Sequence, residues 1–405
     1  MTQAGGGSWR WRTYPLAILV AIVAAVVLVV VSSDGASSLS GRLGGDFPEF
    51  YAAGQIVADG DGDRLYEVDR QVEAQARYWG EEGSLILFAY PPVVAATYRV
   101  LALLDYRLAY LVHTLAMIAA LGAAVLVLRS VLPVLTVHRY RLAAVAFTLT
   151  FLPMFTGVTL GQNTALVLLA GSGVWWGLHH HRDLVAGVAM GLLTLKPQYG
   201  VPLLALVVLA RRWTAVAAAA VTTVVLWLAS AAVSGFGWMG PWLDLTRSLS
   251  EIDQGANLHN EVSWLGLAEV ALGAGSGAAL AIALVAGATT VAALVWRLWT
   301  RPVLDHLTVA LVLPTLLVVA PHSLYYDAGM LVVSVGALIT TIPERHQPQV
   351  LALWWVAGFG HLGAAMLGVQ PVALLVIATW AWAWHATSPT PEVRSRRRRP
   401  ADVTG

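Results

Sequence analysis

The sequence predicts an all-α polytopic membrane protein, and three observations predict it. Of the 405 residues, 58% are hydrophobic and only 12% are charged, with a mean hydropathy of +0.69. Soluble domains carry about 25% charged residues, so this chain lacks the polar surface needed to face water. Apolar runs recur along it, separated by short polar joints, and in hydrocarbon such runs must be helices because every backbone N–H and C=O has to be paired internally. Cysteine is absent, which excludes disulfides, thiolate catalysis and thiolate metal sites. The net charge of +1 gives no reason to expect nucleic acid as a partner.

The opening "SWRWRTYPLAILVAIVAAVVLVVV" has a basic flank and a long apolar core without a clear small-residue cleavage site. It reads as a retained signal anchor at 1–31 with a cytoplasmic N-terminus. Further apolar segments fall near 86–104, 107–128, 141–157, 163–178, 184–210, 213–234, 277–298, 305–320, 328–342, 350–368 and 371–387, about 12 spans with the anchor. The remainder divides into a first external loop at 32–85, a helical block at 86–234, a second large external loop at 235–276, C-terminal helices at 277–387 and a basic, disordered cytoplasmic tail at 388–405 containing "RSRRRRP". Such a tail suits contact with anionic membrane lipid.

Strict alternation of these spans puts the joint 129–140 and the "HHHRD" of 179–183 outside, although both carry basic residues. The other arrangement makes 86–104 re-entrant and splits 184–210 at Lys196–Pro197. Alternation is preferred, since the positive-inside rule is a bias in the count rather than a law for each loop. No convincing internal repeat appears, which weighs against a transporter built from duplicated halves.

Polar chemistry concentrates in the external stretches. Residues 32–85 hold six Asp and five Glu against four Arg. Within "GGDFPEFYAAG", Asp46 is followed three residues later by Glu49, with Pro48 in the first turn, close to a helix-start signature. Phe47, Phe50 and Tyr51 then share one helical face, as an interfacial helix with aromatics in the headgroup belt would require. Asp46 reads either as the cap of that helix or as a carboxylate held at the water–lipid boundary to act as a base, and the two are compatible. In the second loop, "DQGANLHNEV" offers His259 and Asn260.

Lys196, the only lysine, lies in "GLLTLKPQYGVPLL", far from the ends of an apolar segment. A charge there costs about 2.5–3.5 kcal/mol on insertion scales. It therefore faces a cavity or partner, such as a phosphate, or else snorkels from a bent helix. "APHSLYYDAG" at 320–329 places His322, Tyr325 and Tyr326 at a span boundary, where histidine can exchange a proton or donate to phosphate. "GQN" at 161–163 brings Gln162, and "YPP" at 90–92 brings Tyr90, both able to line a cleft. "DGDGD" at 59–63 lacks the spacing of a calcium loop and reads as a turn, and "HHH" at 179–181 reads as a solvated joint.

Taken in order, "GGDFPEFYAAG", "FAYPPVVA", "LGQNTALVLLAG", "LLTLKPQYGVPLLALVVLARRW" and "APHSLYYDAG" resemble glycosyltransferase family 87 over residues 44 to 330. These are polyprenyl-phosphate-mannose-dependent α-mannosyltransferases. The resemblance implies a GT-C fold with interfacial helices in the first external loop, in the inner (plasma) membrane, with the active site facing the periplasm. It implies a polyprenyl-phosphate-mannose donor, a glycolipid or lipoglycan acceptor of phosphatidylinositol-mannoside type, and no metal or other cofactor. It puts the catalytic base on Asp46, places His322 near donor phosphate or acceptor, and matches Lys196 to the family's Lys-Pro element. The remaining substrate-binding candidates are Glu49, Tyr90, Gln162, His259, Asn260, Tyr325 and Tyr326. Other readings are a transporter or flippase of a lipid-linked sugar, or a related transferase using a sugar such as arabinose.

Overall fold

Residues 44–79, 85–301, 303–320 and 322–388 are described by a computed structural model. The expected anchor at 15–31 lies outside the described residues, as does the basic tail beyond Ser388. Where it is described, the chain is helical, and its one β-type pairing is an isolated antiparallel bridge between Glu261 and Leu324. In order come α1 (Phe47–Asp59), α2 (Val68–Trp79), α3 (Pro92–Tyr98), α4 (Tyr106–Leu128), α5 (Pro133–Thr136), α6 (His138–Thr150) and α7 (Leu152–Thr159). There follow α8 (Thr164–His179), α9 (Asp183–Leu193), α10 (Pro197–Leu209), α11 (Trp213–Ser234), α12 (Met239–Ala256) and α13 (Trp264–Leu272). The chain closes with α14 (Gly277–Thr300), α15 (His306–Val319), α16 (Leu331–Leu338), α17 (Gln347–Gly360), α18 (Ala364–Leu367) and α19 (Pro371–Thr387).

Among the described residues, α4, α11 and α14 are each long and apolar enough to cross a membrane. The pair α6 and α7, bent by 69° where Phe151 and Pro153 interrupt the ladder, can supply a fourth crossing. The other apolar helices run 10–17 residues. At 1.5 Å per residue, the 11 residues of α9 reach roughly 17 Å, well short of a bilayer core of about 30 Å. Helix α15 is buried on all sides from Thr308 to Val318 and forms the axis against which α16 and α19 pack.

Four side-chain contacts sort the joints into two ends. Gln162 meets Asp46 at 2.7 Å and Lys196 meets Asp327 at 3.3 Å, which defines the site end. Ser130 meets His180 at 2.9 Å, and Arg212 pairs with Asp183, which defines the far end. The joints at 129–140, 179–183 and 211–212 therefore lie together, opposite Asp46. Strict alternation would separate Gln162 from Asp46, so the topology follows the other arrangement. The physical reasons are two proline breaks. Pro91 and Pro92 leave 86–104 as an extended stretch and a seven-residue helix that packs on α1, and Pro197 divides 184–210 at Lys196. One consequence is that the basic joints gather at the far end, as the positive-inside bias favours.

The described part of the first loop, residues 44–79, is a packed subdomain. Phe47 and Phe50 are 0% exposed and Tyr51 5%, so these aromatics are core residues and not a headgroup belt. Phe47 sits within 5.2–6.4 Å of the rings of Tyr51, Tyr98, Tyr106, Tyr110 and His113, and Phe50 stacks on Tyr98 at 4.9 Å. The amphipathic face was real, but α3 and α4 cover it. The "DGDGD" turn is closed by arginine: the buried Arg70 donates to Asp59 at 2.7 Å and to Asp61 at 2.9 Å, and Arg77 reaches Asp59 at 2.9 Å. Two glutamine amides replace a β-partner for the extended stretch 85–89. Gln71 exchanges bonds with Phe88, and Gln75 with Ile86.

Candidate active site

The site forms where α1 begins and the α7–α8 turn meets it. The Leu160 carbonyl accepts from the backbone N–H groups of Asp46 (2.8 Å) and Phe47 (2.9 Å). The next residue, Gly161, has φ +83°, and a Cβ there would stand 2.5 Å from the Phe47 Cβ. Only glycine fits both demands, and the turn it permits aims Gln162 at the start of α1.

Asp46 is not a side-chain cap. Its backbone is already helical (φ −96°, ψ −12°) and its carboxylate makes no capping bond. It accepts from Gln162 Nε2 at 2.7 Å. The same Nε2 lies 3.4 Å from Glu49 Oε1, and Gln162 Oε1 accepts from the Tyr90 hydroxyl at 3.2 Å. One buried glutamine thus bridges two carboxyls and a phenol.

The two carboxyls differ in environment. Asp46 is partly exposed, whereas Glu49 is 5% exposed. Burial holds the Glu49 carboxyl well above the usual carboxylate range, and the neighbouring Asp46 charge pushes it further up; Lys196 and the Gln162 bond oppose this. Burial penalises a charge without full pairing, so Glu49 holds its proton more tightly than an ordinary carboxyl, beside a wetter Asp46.

Lys196 does not snorkel to water. It occupies the N-cap position of α10, and its Nζ lies 3.3 Å from Asp327 Oδ1, with both side chains about 5% exposed. It also stands 5.9 Å from the centre of the Tyr90 ring, which links the ion pair to the Asp46 cluster. Asp327 Oδ2 accepts from the Leu324 N–H at 3.3 Å, so this carboxylate also shapes the turn that presents Tyr325 and Tyr326. Tyr326 is buried, and its ring lies 5.8 Å from that of Tyr325. Asp327, which stands in the 320–329 run but was given no role from sequence, and Tyr199, which was not singled out, complete the cluster; the Tyr199 hydroxyl lies 3.3 Å from Ser323 Oγ. Their signal was present in the "YYD" and "KPQY" runs.

His322, His259 and Asn260 belong to a neighbouring patch. His322 Nδ1 meets Glu261 Oε1 at 3.2 Å. The two segments are stitched by Val262 N–H to the Ser323 carbonyl (2.8 Å) and Tyr325 N–H to the Asn260 carbonyl (2.7 Å). The Asn260 side chain donates to Asn257 at 2.9 Å. Gln370 secures the loop on either side of His259, donating to the carbonyls of Leu258 (2.8 Å) and Glu261 (2.7 Å). His361, also missed from sequence, stacks on Tyr325 at 4.4 Å, 5% exposed. Among the described residues, no three His, Asp or Glu side chains gather as a metal site.

The site thus gathers two neighbouring carboxyls, a buried lysine–aspartate pair and a cluster of tyrosines. The profile of glycosyltransferase family 87 matches residues 88–321, more than half of the chain. This chain belongs to glycosyltransferase family 87. It is therefore a glycosyltransferase, and its apolar helices make it a membrane protein. Curated proteins and solved structures yield no match. The family 87 segment carries Tyr90, Gln162, Lys196, His259 and Asn260. Asp46 and Glu49 precede it and His322 to Asp327 follow it. The Gln162–Asp46 and Lys196–Asp327 contacts therefore tie the flanking residues into the family core.

Proposed function

We propose that this family 87 enzyme is an inverting mannosyltransferase. It moves mannose from polyprenyl-phosphate-mannose to a glycolipid or lipoglycan acceptor of phosphatidylinositol-mannoside type, at the periplasmic side of the inner membrane, in a GT-C arrangement of helices. The observation that carries this reading is the division of Asp46 and Glu49. A partly exposed carboxylate, oriented by Gln162 beside a buried carboxyl that is harder to ionise, suits a general base.

In the proposed step, Asp46 takes the proton of an acceptor hydroxyl as its oxygen attacks the anomeric carbon. The bond to phosphate breaks, and the electron pair leaves with polyprenyl phosphate. Starting from a β-linked phosphate, one inversion gives an α-mannoside. Phosphate departs without a general acid, so one carboxylate suffices. Lys196 keeps donors beyond its Asp327 contact with which to meet the departing charge. His322 and the 257–261 loop flank the acceptor side, and Tyr90, Tyr325 and Tyr326 offer ring faces to sugars. No metal or other cofactor takes part. The outward placement is supported by the basic joints at the far end, which the positive-inside bias assigns to the cytoplasm.

The experiment is transfer in detergent with purified protein, a short-chain polyprenyl-phosphate-mannose donor and a phosphatidylinositol-mannoside acceptor. An α-mannosylated product, formed with no membrane to cross, is expected. Turnover of an arabinose donor but not the mannose donor would overturn the choice of sugar.

A further inference from the structure

The far end of the bundle holds a cleft that the transfer reaction does not use. It lies between the ends of α14 and α19 and the start of α15, lined by Arg297, Arg301, Asp305, Thr308 and Thr387. Arg301 donates to the Thr387 carbonyl at 3.2 Å. Thr387 ends a 17-residue helix whose N-cap, Gln370, holds the His259 loop. The cleft is thus about 25 Å from the His259 loop, at the opposite end of α19.

Its charges do not balance. Arg297 is 6% exposed, and its Nη2 is buried with no hydrogen-bond partner among the described residues. The one carboxylate in the cleft is already engaged. Asp305 Oδ1 caps α15 through the Thr308 N–H at 2.9 Å, and Oδ2 lies 3.7 Å from Arg301 Nη2. Two guanidinium groups therefore share one carboxylate. A buried cation without an anion is costly, and a planar guanidinium fork suits phosphate oxygens.

The surroundings select a lipid as the source of that phosphate. Trp296 and Trp299, on either side of Arg297, are 56% and 79% exposed, and Trp296 packs with Trp384 at 6.0 Å. Exposed tryptophans at the end of a membrane helix mark headgroup depth. Earlier on α14, Leu284 and Val285 are 64% and 68% exposed, an apolar face along which acyl chains can lie. Basic pockets between helix ends on the cytoplasmic side bind anionic headgroups. We propose that the Arg297–Arg301 cleft binds the phosphate of one anionic phospholipid from the far-end leaflet.

The test compares the full-length wild type with Arg297→Met and Arg301→Gln after delipidation in detergent. Melting midpoints are followed while titrating short-chain phosphatidylglycerol, phosphatidylcholine or inorganic phosphate, and retained lipid is counted by native mass spectrometry. The wild type should retain one phosphatidylglycerol and gain stability from it alone, and both variants should bind it at least tenfold more weakly. Arg301 is about half exposed, so its replacement should fold. Arg297→Met should melt no lower than the wild type without lipid, because it removes an unpaired buried charge. Equal lipid retention by the wild type and both variants would overturn the proposal. So would an equal shift from inorganic phosphate, which would make the ligand a soluble anion.

Discussion

The Gln162 amide donates to the Asp46 carboxylate at 2.7 Å across 116 residues of sequence. It joins the first loop to the core of the membrane bundle at the point where the proposed base must be held. Gln162→Ala should leave Asp46 in place through its backbone bond to Leu160 but free its side chain. The expected result is a fall in kcat of roughly 10- to 100-fold, a loss of positioning, at near-normal melting temperature. Gln162→Glu should be worse, since a third carboxylate would replace the shared donor. Steady-state rates with saturating donor and acceptor check both.

The Lys196–Asp327 pair is buried on both sides. Removing one partner leaves the other charge unpaired, at a cost of about 3–5 kcal/mol. Lys196→Met and Asp327→Asn should each melt well below the wild type. The double variant Lys196→Met/Asp327→Leu should recover much of that loss while remaining inactive. A double variant that transfers mannose normally would remove Lys196 from the reaction.

Glu49 gives a pH signature. Its carboxyl is held above its usual value of 4.5 by burial and by Asp46. The folded state therefore binds this proton more tightly than the unfolded chain, and stability falls as pH rises from about 4.5 through the raised folded value. Glu49→Gln keeps the shape without the proton. It should melt higher than the wild type at neutral pH, with the difference closing below pH 4.5. Parallel melting curves for the two proteins at all pH values would contradict the assignment.

Gly161 carries the turn geometrically. Gly161→Ala meets both a φ of +83° and the Phe47 Cβ at 2.5 Å. A cost of about 1–3 kcal/mol is expected from the backbone alone. Activity should fall further than stability, because the shift displaces Gln162. Paired melting and rate measurements on this variant separate the two effects.

Much of this was legible in the sequence, at the level of islands. Asp46, Gln162, Lys196 and the 322–327 run stand out because charge and amide groups are scarce in an apolar chain. The helical face of Phe47, Phe50 and Tyr51 was legible too, from its spacing. What covers that face was not, because nothing local encodes the approach of α3 and α4. The crossings of 86–104 and 184–210 were misread for a similar reason. Apolar length alone does not distinguish one full span from shorter pieces, and the prolines at 91–92 and 197 were the local signs of the breaks. Asp327 was passed over as a partner because Lys196 lies 131 residues away. In each case the missing information was tertiary.

The proposed transfer depends on Asp46 as the base. The most direct test is the transfer rate of Asp46→Asn, purified at normal abundance and folded as judged by its melting temperature. Asparagine can keep accepting from Gln162 while losing the charge. A fall in kcat of at least about 100-fold, within the range for general-base loss, is predicted. Transfer near the wild-type rate would contradict the account.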